Sequence, residues 1–209
     1  MAYYPILCNQ ENFISKGNNY KIKQCFPTAK IFYKEAVKET QEGRPKNEMF
    51  IAIPDELKEQ GEDVSPQHWR VQAVILSTQK SRIMVINSYF PTDPRTHDFD
   101  STDLLSTLDA IRNVLKDNDY ENVVWCGDRN ADFLRQSPFT LLIENFIEDH
   151  SPYKSWDTFP IDFMHFYDRE DETYTSTIDQ FFWNEHLSNH ITDADAMHLP
   201  DNTSDHCPI

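Results

Sequence analysis

The chain is poor in positive charge and has no long apolar run. Nineteen lysines and arginines stand against thirty-five acidic residues, a formal net charge of −16 over 209 residues. A free-standing nucleic-acid binder usually presents a basic footprint, so this composition argues against tight, non-specific binding to DNA. No apolar stretch approaches the roughly 20 residues needed to cross a bilayer. Met1-Ala2-Tyr3-Tyr4-Pro5 lacks the charged start and apolar core of a secretory signal. These absences lead us to expect an intracellular protein, nuclear or cytoplasmic, with no membrane partner. Cys8, Cys25, Cys126 and Cys207 show no C-x-x-C spacing, which argues against a zinc ribbon or a redox pair. Cys8 and Cys126 lie in apolar stretches and read as reduced core thiols in a reducing setting. No repeat, low-complexity tract or Gly/Ser linker divides the sequence.

What is present points to a globular fold. Hydrophobic residues make up 39% of the chain and aromatics 13%, enough for a proper core in one domain spanning residues 1–209. Strand-like patterning is expected at Ile6 to Gln10, Met49 to Ile53, Trp69 to Ser77, Arg82 to Tyr89, Val123 to Cys126 and Thr175 to Trp183. One helix places Leu104, Leu105, Leu108, Ile111 and Leu115 on a single face, with Ser101 as its N-cap. A second begins at Ser137-Pro138, a cap followed by proline at the first helical position, and carries Leu141, Leu142, Asn145 and Phe146. Strands at both ends with helices between them give α+β or α/β layers. The charged stretches Asp55 to Asp63 and Asp168 to Glu172 read as solvated surface turns.

The run Val123-Val124-Trp125-Cys126-Gly127-Asp128-Arg129-Asn130 holds the strongest chemical signal. Side chains two apart in a strand share a face, so Asp128 and Asn130 would project together from the strand's end. A carboxylate beside an amide suits a site that orients a water and a substrate oxygen. The same Gly-Asp also fits ordinary turn chemistry. Asp179 lies between Ile178 and the aromatic run Phe181-Phe182-Trp183, where an unpaired carboxylate would be costly and a partner is therefore expected. His150, His165, His186, His190 and His198 fall in no motif and read as surface or satisfied core residues.

In order along the chain, Asn87-Ser88-Tyr89-Phe90-Pro91-Thr92, Gly127-Asp128-Arg129-Asn130, Thr175 to Trp183 with Asp179 inside it, and Ser204-Asp205-His206 resemble the signatures of the endonuclease/exonuclease/phosphatase superfamily. Ile6-Leu7-Cys8-Asn9-Gln10-Glu11-Asn12 resembles that family's strand ending in Gln-Glu. Gly43-Arg44-Pro45-Lys46 and Ser88 to Asp93 look most like the apurinic-type endonuclease domains of non-LTR retrotransposons. The resemblance implies an α+β fold in four layers, a DNase I-like β-sandwich of two sheets flanked by helices, with the site where strand ends converge. It implies Glu11 and Asp205 as metal ligands for Mg²⁺, or Mn²⁺ in its place. It further implies Asp128 and Asn130 as the pair that orients or deprotonates the attacking water, and Tyr89 as a hydroxyl donor to the phosphate. Asp179 and His206 would then be a hydrogen-bonded pair that presents a cation to the scissile phosphate.

The implied activity is Mg²⁺-dependent phosphodiester hydrolysis, a DNA-nicking endonuclease domain with a reverse transcriptase expected in a longer polypeptide. Two alternatives stay open: a phosphatase or phospholipase of the same fold acting on a small phosphate ester, and a catalytically dead remnant serving as an interaction module. The sequence opens almost directly on the Gln-Glu strand. The strand and asparagine that the family places before it are expected to be missing, as in an N-terminally truncated copy with impaired activity. Arg129 stands where the family usually has an aromatic or bulky apolar residue, and a guanidinium aimed into the sandwich would require partners.

Overall fold

A computed structural model of the chain describes residues 6–10, 20–34, 48–94, 100–150, 153–159, 165–169, 172–198, 204–207 and 209. Its centre is a six-stranded sheet in the order β4-β5-β6-β7-β11-β8, built from β4 (Gly61–Asp63), β5 (Val71–Ser77), β6 (Arg82–Ser88), β7 (Asn122–Asp128), β11 (Asp179–Trp183) and β8 (Tyr153–Lys154). β5 and β6 form an antiparallel hairpin, closed by a turn in which Thr78 N–H donates to Ser81 O at 2.9 Å. β6 and β7 run parallel. Parallel neighbours need a crossover, and α2 (Thr102–Asp117) lies in that connection. A second sheet, in the order β1-β3-β2, pairs β1 (Leu7–Gln10), β3 (Met49–Pro54) and β2 (Ala29–Lys34) antiparallel throughout.

Alternation along the strands sorts the core into layers. In β5, Val71, Ala73 and Ile75 face one way and Val74 and Leu76 the other, as the two-residue period requires. The first set packs with Met84, Ile86 and Trp125 against Leu104, Leu108 and Ile111 of α2 and Phe139, Ile143 and Phe146 of α3 (Pro138–His150). The second set meets Phe32, Ile51 and Ile53 of the small sheet, forming the interior between the sheets. The outer face of the small sheet, with Phe50 and Ala52, is covered by Ile22 of α1 (Tyr20–Cys25). Every residue of β3 is buried because both of its faces are covered. Helix, sheet, sheet and helix thus form the four layers expected from the sequence. Among the described residues, no helix is long and apolar enough to cross a membrane.

The structure corrects several local expectations. The strand expected over Thr175 to Trp183 is two strands: β10 (Glu172–Ser176) pairs with β9 (His165–Arg169) in a separate hairpin, and β11 joins the large sheet. The chain changes sheets at Thr177-Ile178, where Ile178 O accepts from Arg129 N–H at 2.9 Å. Ser101 precedes α2 with helical backbone angles and makes no side-chain cap. Asp100 serves instead, its Oδ1 accepting from Thr102 N–H at 2.9 Å. Ser137 does cap α3, its Oγ accepting from Thr140 N–H at 3.0 Å. Leu105, expected on one apolar face with Leu104 and Leu108, is 44% exposed, and Leu141 of the second helix is 46% exposed. The stretch Asp55 to Asp63 is a 3₁₀ turn followed by the edge strand β4. Two short helices, α4 (Ser155–Thr158) and α5 (Glu185–Ser188), complete the described elements.

Candidate active site

The site begins where β7 ends. Gly127 has φ +130°, and a Cβ there would lie 2.0 Å from Ser88 O on β6, so only glycine lets the two parallel strands approach this closely. Asn130 also has positive φ, at 49°. With two such residues so close together, simple strand alternation stops at Asp128. The expected side-by-side projection of Asp128 and Asn130 is replaced by a tight turn in which Asp128 Oδ1 accepts from Asn130 N–H at 2.6 Å. The Asn130 side chain donates instead to Phe90 O at 2.9 Å. Phe90 N–H in turn donates to Asp128 O at 2.9 Å, which joins the loops after β6 and β7. Turn chemistry and site geometry therefore coexist in this segment.

Asp179 opens β11 directly opposite Asp128 in the antiparallel register, and both residues are buried. Two adjacent carboxylates repel unless cations balance them. One cation is His206, whose Nδ1 lies 2.7 Å from Asp179 Oδ2. Burial opposes its charging, but the hydrogen bond to Asp179 and the charges of Asp179, Asp128 and Asp205 outweigh that opposition and lift its pKa to about 9. His206 is thus an imidazolium at neutral pH.

The second cation is Arg129. Its side chain is completely buried, with the guanidinium 4.2, 4.8 and 5.1 Å from the ring centres of Trp125, Phe182 and Phe90. Nη1 donates to Ser88 Oγ at 2.6 Å and at longer range to Cys126 O at 3.4 Å and Ser88 O at 3.5 Å, while Nε and Nη2 have no hydrogen-bond partner among the described residues. Burial pulls its pKa down to about 9, with Cys126, Asp128 and Asp179 acting against that pull. The partners that the sequence required are therefore three aromatic faces, one hydroxyl and two backbone carbonyls, and cation–π contacts of this desolvated kind are worth about 2 kcal/mol or more.

Tyr89, Asp128, Asp179, Asp205 and His206 all line one cavity of about 590 Å³, together with the end of β1. The floor is tied across the sheets by buried Asn87, which accepts from the Gln10 side chain and donates to Asn9 O at 3.1 Å. Arg70 flanks Tyr89, donating to its carbonyl at 3.4 Å and lying 5.5 Å from its ring centre. Asn130 is not part of the lining. Glu11 and the Gly43-to-Lys46 stretch lie outside the described residues. Two sets of donor atoms lie within 4.8 Å of one another, Asp128/Asp179/His206 and His165/Asp205/His206. Carboxylate oxygens of Asp128, Asp179 and Asp205 stand beside the imidazoles of His165 and His206, so the donors of this site could hold a divalent cation. His165, read from sequence as an unremarkable surface or core residue, is the site neighbour that sequence reasoning missed. Its ring meets that of His206 at 4.8 Å, an encounter set by tertiary register with no local sequence signal.

No protein-family model matches the sequence, and no curated protein matches it. Solved structures do. An apurinic-type (AP) endonuclease from Archaeoglobus fulgidus superposes with a TM-score of 0.66 at 17% identity, covering 97% of this chain and 86% of that one. The endonuclease domain of TRAS1, a telomere-specific non-LTR retrotransposon, gives 0.64 at 15% identity, covering 97% and 82%. TDP2 from C. elegans gives 0.54 at 13% identity, and the match spans 86% of this chain but only 54% of that protein. Two packed sheets between helices, and this likeness, assign the chain the fold of the endonuclease/exonuclease/phosphatase superfamily.

Proposed function

We propose that this chain hydrolyses phosphodiesters, acting as a DNA-nicking endonuclease domain of the retrotransposon type, joined to a reverse transcriptase in a longer polypeptide. The observation that carries the reading is the Asp179–His206 pair, 2.7 Å apart, on the same cavity as Asp128 and Tyr89. Hydrolysis needs an activated water, a neutralised phosphate and a leaving oxygen that receives a proton. Asp128, oriented by the Asn130 amide, accepts the proton of the attacking water. Tyr89 donates its hydroxyl to the phosphate or the leaving oxygen. His206, held cationic by Asp179, faces the non-bridging oxygens. Asp205, with Glu11 just past β1, would hold Mg²⁺ or Mn²⁺. When bound, such an ion neutralises charge on the phosphate. Asn130 acts through its backbone and through the loop it pins to Phe90.

The net charge of −16 favours a second reading, a compact phosphate ester as substrate, because such a substrate needs no long basic track. Supercoiled plasmid, inositol phosphates and a generic phosphodiester, each with and without Mg²⁺, separate the two. Nicking of plasmid that requires Mg²⁺ and falls at least about 100-fold in Asp128→Asn supports the endonuclease. Turnover of inositol phosphates alone supports the second reading, and no turnover of any of the three refutes both.

A further inference from the structure

We propose that His165, Asp205 and His206 form a zinc site at the rim of the cavity. The backbone builds it. His165 on β9 and His206 in the C-terminal segment are directly opposed in an antiparallel bridge, fixed by Phe166 N–H donating to Asp205 O at 2.9 Å. Directly opposed residues place their side chains together, and the two imidazole centres stand 4.8 Å apart. One ligand atom from each of the three residues lies within 4.8 Å of the others.

Each imidazole is already oriented by a second residue. His165 Nδ1 lies 3.1 Å from Ser176 Oγ, and His206 Nδ1 lies 2.7 Å from Asp179 Oδ2. Binding of one ring nitrogen to a hydroxyl or carboxylate fixes the ring so that the other nitrogen meets a metal. Nε2 would then be the ligating atom of both residues, and at His206 the zinc ion would displace the Nε2 proton of the imidazolium to solvent while Nδ1–H stays on Asp179. His165 Nε2 stands 3.5 Å from Asp205 Oδ2. Ligands at about 2.0–2.2 Å from a tetrahedral zinc ion are roughly 3.3–3.6 Å apart, so this separation suits zinc. Two nitrogens and one carboxylate are the ligand set of a borderline cation, and Mg²⁺ takes oxygen in preference. The zinc ion occupies His206 and Asp205, so it opposes the proposed hydrolysis. The binding itself stands apart from that reading.

The test titrates the full chain with Zn²⁺ against a chromophoric chelator in excess Mg²⁺, with no nucleic acid present. One Zn²⁺ per chain is expected, undisturbed by Mg²⁺. His165→Gln should weaken binding by at least about 10–100-fold, and Ser176→Ala, which removes only the residue orienting His165, by about 10-fold. Cys207→Ser should leave it unchanged. Cys207 Sγ lies 3.3 Å from His198 Nδ1, making that pair the rival site. Loss of zinc in Cys207→Ser but not in His165→Gln overturns the proposal. Unchanged affinity in Ser176→Ala overturns it too, and decides the matter if His165→Gln fails to fold by circular dichroism.

Discussion

Asp128 and Asp179 sit on paired strands of the six-stranded sheet, whereas Asp205 and His206 sit on a segment that meets β9 through an isolated bridge. The first half of the cavity is held by the large-sheet core: Gly127 pressed against Ser88, Arg129 caged below, and loop carbonyls bonded across strands. The second half is held by the bridge to β9, the Asp179–His206 bond, the His165–Asp205 pair and a small apolar cluster of Cys207, Ile209, Ala196 and Phe166. Local opening free energy follows buried contacts, so the sheet half is set by folding and the C-terminal half is docked onto it. A site assembled this way brings its cation to preformed carboxylates, and the bond between them reports the docking.

Breaking the sheet half should have the largest effect. Gly127→Ala puts a Cβ 2.0 Å from a backbone oxygen at φ +130°. It should cost at least about 3 kcal/mol in urea denaturation, or abolish folding. Ser88→Ala removes the acceptor shared by Trp125 Nε1 at 2.8 Å and Arg129 Nη1 at 2.6 Å. Trp125 Nε1 is then orphaned and Arg129 Nη1 keeps only its long contacts to Cys126 O and Ser88 O, so a loss of about 1–3 kcal/mol is expected in the same assay. A loss below about 0.5 kcal/mol would show that the aromatic rings and the two carbonyls hold the guanidinium without the hydroxyl. At the other extreme, Leu141 is 46% exposed on α3, and Leu141→Glu should change stability by no more than about 0.5 kcal/mol.

The same contrast explains what could be read from sequence. That Asp128, Asp179, Asp205 and His206 would meet on one cavity was legible from short motifs in a recognisable order. Asp179 announced its need of a partner by its apolar surroundings, and His206 is that partner. Arg129 announced the same need without revealing how it would be met, because its cage comes from β7, β11 and the loop after β6. The direction of the Asn130 side chain was misread because positive φ at Gly127 and Asn130 breaks the strand alternation on which the reading rested. His165 was passed over because its neighbours are supplied by the register of a distant segment. β2 escaped notice because Lys30 and Lys34 disguise its pattern. Their tips donate to Gly61 O at 2.9 Å and Pro66 O at 2.7 Å, while their stems lie along the sheet.

The docking of the C-terminal half carries a pH signature. His206 has its pKa raised from 6.5 to about 9 in the folded chain. A raised pKa means stability that is fully present below about pH 6.5 and lost as pH rises through about 9. Asp179→Asn removes the carboxylate responsible, so the stability of that variant should vary less across this window. NMR titration of His206 in the unmodified chain and in Asp179→Asn tests this most directly. A midpoint near 9, falling by at least about one pH unit toward the ordinary 6.5 in the variant, is expected. The same midpoint in both proteins would contradict the pairing, and with it the view that Asp179 holds the C-terminal half in place.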